Sequence, residues 1–169
     1  MGEPFAISNL SSGNGVIGIS RLPGLHGDLQ ADIDNVIRWQ PNLVVSMTEW
    51  KEMEQAGSHS MKNILNINGI EWFHLPIRDY GAPSGASAEA WPRLSATIHR
   101  SLDNSGRVLL HCRGGHGRSG MIALRLLVER GELPDIALMR LRAARPGAIE
   151  TREQADWASL PARQDGSTI

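Results

Sequence analysis

The sequence predicts an α/β fold, a central and mostly parallel twisted sheet flanked by helices on both faces. Two observations carry that prediction. Short apolar runs at residues 16–19, 43–45, 70–75 and 108–111 have the length of buried strands. The stretches between them are long enough to hold helices, and strands that alternate with helices pair in parallel with helices packed on either side.

In chain order, Ser11-Ser12-Gly13-Asn14-Gly15 is turn material leading into the first strand, Val16 to Ile19. Gly13, Gly15 and Gly18 spell a G-x-G-x-x-G pattern, but they precede a strand and no helix opens at the third glycine. A dinucleotide fingerprint is therefore rejected. Asp28 to Trp39 reads as a helix with Leu29, Ile33, Val36 and Ile37 inward, ending before Pro41. Leu43-Val44-Val45 is a buried strand, followed by helical material from Thr48 to about Asn66. Ile70 to Leu75 is a strand, Ser87 to Leu102 a helix, and Val108 to His111 another strand. Three late helices follow: Met121 to Val128, broken only by Arg125, then one opening with Pro134 at a favourable first-turn position, then one more.

A chain of 169 residues suits a single domain, residues 1–169 with a core at about 15–160 and short tails. Seventeen Lys and Arg against 18 Asp and Glu give no long-range attraction for nucleic acid. The single cysteine forbids an internal disulfide and makes a reducing cytoplasm the natural setting. Met1 to Ala6 lack the basic start and apolar run of a secretory signal, and Ala6 stands where myristoylation wants Ser or Thr. No apolar stretch approaches the roughly 20 residues of a membrane span. A monomer is expected.

The chemistry concentrates in His111-Cys112-Arg113-Gly114-Gly115-His116-Gly117-Arg118-Ser119-Gly120, on a strand-to-helix turn. Glycines at 114, 115 and 117 let the backbone curl so that successive N–H groups converge on an anion at a helix N-terminus. The helix end and Arg118 both favour the thiolate of Cys112. Five residues separate Cys112 from Arg118, enough for the guanidinium to return beside the sulfur and hold two phosphate oxygens in a planar fork. Arg113, Gly114, Gly115, His116, Gly117 and Arg118 thus form a phosphate-binding loop. Ser119 can donate a hydrogen bond toward the sulfur, or satisfy an orphan backbone group at the helix start. A zinc site from His111, Cys112 and His116 fails, because three ligands within six residues cannot span a tetrahedron while forming this loop. No metal or organic cofactor is called for.

His-Cys-x5-Arg-Ser resembles the signature of the cysteine-dependent protein tyrosine and dual-specificity phosphatases. Gly18 to Gly24, His74 to Asp79, and Gly147 to Thr151 with Gln154 extend the resemblance, and together they are similar to the kinase-associated branch of that group. The resemblance implies a phosphorylated protein substrate and a phosphate or similar oxyanion in the loop. It implies that Asp79, on a separate Gly- and Pro-containing turn, is the acid that protonates the leaving oxygen, although an Asp before a turn also commonly caps it. It implies that His111 orients the loop and that Gln154 lies near the attacking water; an exposed helical Gln is the ordinary alternative. Glu49 could pair with the loop arginine or simply serve a helix N-terminus.

Two features bear on substrate. Lipid-phosphatase relatives carry basic residues at the loop positions held here by Arg113 and His116, so a phosphoinositide or inositol phosphate is the competing substrate class. Tyrosine-only relatives deepen their pocket with an aromatic loop, and Tyr80 is the only tyrosine here. A shallower pocket would admit phosphoserine and phosphothreonine as well. A phosphoprotein-binding module without catalysis would usually lack the cysteine, the arginine or the acid. Oxidised Cys112, with no second thiol to resolve it, is expected to form a sulfenamide with the Arg113 nitrogen or a mixed disulfide.

Overall fold

The computed structural model describes residues 2–161. The expected C-terminal tail from residue 162 onward lies outside the described residues. Five strands form one sheet: β1 (Ser8–Ser12), β2 (Gly15–Ser20), β3 (Leu43–Ser46), β4 (Glu71–His74) and β5 (Arg107–His111). Their order is β1-β2-β5-β3-β4. All pairings are parallel except β1 with β2.

Seven helices complete the described fold: α1 (Leu29–Trp39), α2 (Trp50–Gln55), α3 (Met61–Ile67), α4 (Gly85–Asp103), α5 (Gly117–Glu129), α6 (Pro134–Ala144) and α7 (Arg152–Ala158). Side-chain alternation along the central strands divides the core. Leu43, Val45, Val108 and Leu110 face one layer, with Trp91 and Ile98 of α4, Ile122 and Leu126 of α5 and Leu141 of α6. Val44 and Leu109 face the other, with Ile33 and Val36 of α1, Met53 of α2 and Leu65 of α3. Each fully buried aliphatic side chain contributes about 1.5–3 kcal/mol, so the sheet centre is a firm base for the loops at its edge.

Two sequence expectations need correction. Residues 8–12, taken as tail and turn, form β1, which pairs antiparallel with β2 across Gly13-Asn14. Gly13 has φ +58°, the left-handed first position of a two-residue hairpin, and a Gly-Asn pair is one of the sequence signals for that turn. The same hairpin explains why the glycine pattern is no dinucleotide motif. The helical stretch from Thr48 to Asn66 is two helices, because Gly57 adopts φ +70° just past the end of α2. The first helix opens at Leu29 with Asp28 as its cap, the carboxylate accepting from the Ala31 amide at 2.9 Å.

No described helix is long and apolar enough to cross a membrane. The carboxyl ends of β2, β5, β3 and β4 lie side by side, which is where open parallel sheets bind ligands. Cys112 follows the last residue of β5 directly, and α5, apolar and buried over most of its surface, fixes where the following turn must end.

Candidate active site

The turn from Cys112 to Gly117 is held by its carbonyls. His111 Nδ1 lies 3.3 Å from the Cys112 carbonyl, and the Leu22 amide donates to the Arg113 carbonyl at 3.0 Å. Arg145 donates from Nη2 to Gly114 at 3.0 Å and from Nε to Gly115 at 2.8 Å. The amides of Gly120 and Ile149 both donate to His116 at 3.0 Å. In a trans peptide the carbonyl and the next residue's N–H point in opposite directions. Five successive carbonyls turned outward therefore leave the amides of residues 113 to 117 facing the other way, a nest for an anion. Among the described residues the amides of 113 to 116 find no carbonyl partner.

Gly115 is indispensable here, whereas Gly117 faces the movable end of an exposed glutamate and the Gln154 amide. Gly115 has φ +76°, and a Cβ on it would stand 2.6 Å from the Ser20 backbone. A Cβ on Gly117 would collide with Glu150 Oε1 at 2.3 Å and touch the Gln154 amide at 3.0 Å. Gly114 has ordinary φ, so its place in the curl rests on hydrogen bonds.

Arg118 is 1% exposed. Glu52 of α2 grips it, accepting from Nη1 at 2.7 Å and Nη2 at 2.8 Å, while Nη1 also donates to the Ile77 carbonyl at 3.0 Å. Its Nε–H is buried and has no partner among the described residues, an unsatisfied charged donor. Burial works against its charge, but the Glu52 hydrogen bonds, the Cys112 sulfur and Asp79 outweigh that and hold the guanidinium above its ordinary pKa. The same pair drives Glu52 the other way: burial raises it, yet the Arg118 bonds and the Glu49 amide keep it below the ordinary carboxylate range.

The other sequence candidates gather around this centre. Cys112 is 3% exposed, with Sγ 3.1 Å from Ser119 Oγ. Asp79, on the β4–α4 loop, approaches Arg118 Nη2 at 3.3 Å with its side chain 45% exposed. Gln154 is wholly buried at the start of α7, its Oε1 accepting from the Glu150 and Thr151 amides at 2.9 and 3.3 Å and its Nε2 donating to Gly81 at 3.4 Å. The ordinary alternative of an exposed Gln is thus corrected. Arg113 is exposed and His116 half-buried at the rim. Burial and the nearby Arg145 charge lower the His116 pKa.

His111 is fully buried, with Nε2 2.5 Å from Ser46 Oγ, which in turn accepts from Trp72 Nε1 at 2.8 Å. A proton on Nδ1 satisfies every group in this chain: Trp72 donates to Ser46, Ser46 to Nε2, and Nδ1 to the Cys112 carbonyl. Burial pushes the His111 pKa down to about 4, so the ring is neutral near pH 7.

Sequence reasoning missed the roles of Glu52, Arg145, Ser46 and Trp72. Glu49 is not the partner of Arg118; it is the cap of α2, and Glu52, three residues on, accepts from its amide at 2.7 Å. One carboxylate thus both starts a helix and holds the arginine, a double use that a capping pattern alone does not reveal. Among the described residues no three of His, Cys, Asp and Glu gather as a metal cage.

Residues 24–157 match the family described as Swiss Army Knife protein, DSP-PTPase phosphatase domain. Putative tyrosine phosphatase 067L of Invertebrate iridescent virus 3 is 29% identical over 112 residues, 61% of this chain and 46% of that protein. Cyclin-dependent kinase inhibitor 3 of Sus scrofa is 33% identical over 109 residues, 61% of this chain and 50% of that protein. The chain spans about half the length of these curated relatives. Among solved structures, kinase associated phosphatase with its catalytic-site cysteine replaced by serine superposes with a TM-score of 0.81 at 26% identity, covering 92% of this chain and 93% of that one.

Proposed function

The chain belongs to the DSP-PTPase phosphatase family, and from that membership we propose that it hydrolyses phosphomonoesters on phosphoproteins through a phosphocysteine intermediate. The observation that carries this reading is the buried Nε–H of Arg118, without a partner among the described residues, on the residue that directly follows the amide nest. A buried charged donor left unsatisfied is costly unless an anion completes it. A tetrahedral phosphoryl group offers oxygens to the nest amides and to the free edge of the guanidinium at once.

The Cys112 thiolate attacks phosphorus in line, the S–P bond forms as the P–O bond breaks, and Asp79 gives its proton to the departing oxygen. The equatorial oxygens stay on the amides and Arg118, whose fixed dipoles supply the largest stabilisation. In the second step water attacks the phosphocysteine and loses its proton to Asp79. The S–P bond breaks to orthophosphate and a thiolate that Ser119 Oγ stabilises. Gln154, with both Oε1 contacts engaged, has one Nε2 proton left to orient that water. General acids of this kind contribute about 10²- to 10⁴-fold. Every charge the reaction develops meets a protein group, so no metal or organic cofactor enters the scheme. Tyr80 is the only tyrosine in the sequence, and without a dedicated aromatic loop to deepen the pocket phosphoserine and phosphothreonine are accepted beside phosphotyrosine. A reducing compartment such as the cytoplasm keeps the lone thiol competent.

The exposed Arg113 beside the nest favours one second reading, a multiply phosphorylated inositol whose further phosphate it would meet. Phosphate release from phosphotyrosine, phosphothreonine and phosphoinositide substrates decides between them. Turnover of phosphopeptides that vanishes in Cys112→Ser is the expected result. Preference for inositides would transfer the assignment to the second reading, and no turnover of any substrate would leave a phosphoprotein-binding module.

A further inference from the structure

We propose that Thr151 is a positioning residue for the acid loop, its hydroxyl latching the turn that carries Asp79 against the start of α7; this rests on the phosphatase reading above. Asp79 and Tyr80 are both exposed, and beyond the 3.3 Å approach of the Asp79 carboxylate to Arg118 burial does not set where they sit. Tyr80 also has φ +63°, a left-handed conformation uncommon for a residue with a side chain and one that persists only where surroundings impose it.

The turn closes on itself, the Gly81 amide donating to the Arg78 carbonyl at 2.9 Å, and a set of donors to the loop's carbonyls fixes that closed turn to the rest of the molecule. On one flank Arg118 Nη1 donates to Ile77 at 3.0 Å. On the other, Thr151 Oγ1 donates to Tyr80 at 3.0 Å, and Gln154 Nε2 reaches Gly81 at a longer 3.4 Å. The Thr151 hydroxyl also accepts from the Gln154 amide at 3.2 Å, capping α7. Its lone pair therefore serves the helix and its single proton serves the loop. The α6–α7 connection consequently braces both halves of the site, Arg145 holding the phosphate loop and Thr151 the acid loop. Without the latch the closed turn shifts as a unit away from α7 and carries the Asp79 carboxyl off the leaving oxygen, and a displacement of about 1 Å is enough to cost up to about 100-fold.

In kcat/KM, which ends at release of the leaving group and is blind to the second step, a misplaced acid hurts only substrates that need its proton. The test is kcat/KM for phenyl phosphate, whose leaving group requires protonation, and for dinitrophenyl phosphate, whose leaving group departs without it. Thr151→Val should lose about tenfold on the first and less than about twofold on the second, while Thr151→Ser, which keeps donor and acceptor, should behave as the unmodified enzyme. Thr151→Asp keeps the capping acceptor but has no proton to donate, and should fall with Thr151→Val. Equal losses on both esters, or a Thr151→Asp variant matching the unmodified enzyme, would assign Thr151 to the helix cap and overturn the latch. If Thr151→Val does not fold, the Ser and Asp variants decide alone. Failure of the unmodified enzyme on both esters, or full turnover by Cys112→Ser, would instead sink the phosphatase reading and the latch with it.

Discussion

Glu52 binds Arg118 through both of its carboxylate oxygens, at 2.7 and 2.8 Å, and leaves Nε free. A guanidinium has more than one usable edge, and committing the Nη1–Nη2 edge to a fixed carboxylate locks its orientation and leaves Nε–H to another partner. Glu52→Gln, which keeps the size but offers one acceptor instead of two, should lose about 2 kcal/mol of positioning, roughly 30-fold in kcat/KM. Because the folded-state pKa of Glu52 is lowered, its contribution to stability is present above the unfolded value and is lost as pH falls below it. Steady-state kinetics and melting of the variant check this; unchanged kcat/KM would show that Arg118 holds its pose unaided.

What the sequence made legible follows the range of its signals. The strand, the glycine turn and Cys112 to Ser119 are contiguous, and local spacing alone implies their mutual placement. Partners contributed by distant segments have no such signature. Glu52 looks like any helix carboxylate, Arg145 like any surface cation, and Ser46 and Trp72 become a relay only when β3 and β4 pair with Ser46 opposite His74. The tryptophans make the same point: Trp91 is 6% exposed and Trp50 45%, a difference set by which layer covers them. The hairpin at Gly13-Asn14 was readable, but a chain start of mixed polarity disguised its first strand.

Arg145 holds two adjacent carbonyls and so turns the amides of Gly115 and His116 the opposite way, into the nest. Arg145→Met removes both donors while keeping the aliphatic stem, and the loop then orders only when the anion binds. Inorganic phosphate should inhibit about tenfold more weakly, a loss of about 1.4 kcal/mol, with KM rising more than kcat falls. Arg145→Lys should rescue little, since an ammonium cannot span both carbonyls in one plane. Full inhibition by phosphate in Arg145→Met would count against the brace.

His111 reports on the relay beneath Cys112. In the unmodified protein its proton should sit on Nδ1 and the ring stay neutral down to about pH 4. Its folded pKa lies below the ordinary 6.5, so the stability it contributes is present above 6.5 and is lost as pH falls through about 4. Ser46→Ala removes the donor to Nε2, frees the other tautomer, and should cost about 1 kcal/mol, roughly fivefold in kcat/KM. Nitrogen NMR of labelled histidine reads the tautomer directly, and Nε2 protonation in the unmodified protein would dismantle the relay.

Far from the phosphate loop, at the other end of α5 and about 18 Å along it by helix rise, Glu129 collects four donors. Trp91 Nε1 at 3.0 Å, His99 Nε2 at 2.9 Å, Arg125 Nε at 2.8 Å and the Ser95 hydroxyl all converge on its carboxylate. Burial alone would raise its pKa, but the His99, Ser95, Trp91 and Arg125 hydrogen bonds bring it down from 4.5 to about 2. A carboxylate depressed in the folded state stabilises fully above its unfolded value and loses that contribution as pH falls through the folded one, here between 4.5 and about 2. Glu129→Gln should therefore be less stable by about 3 kcal/mol near neutral pH, with the gap closing across that acid window. Its kcat/KM should stay near that of the unmodified enzyme, because the cluster ties α4 to α5 and touches no loop residue. Urea unfolding at a series of pH values measures the gap, and a difference that does not change with pH would mean the carboxylate is not the charged hub of this cluster.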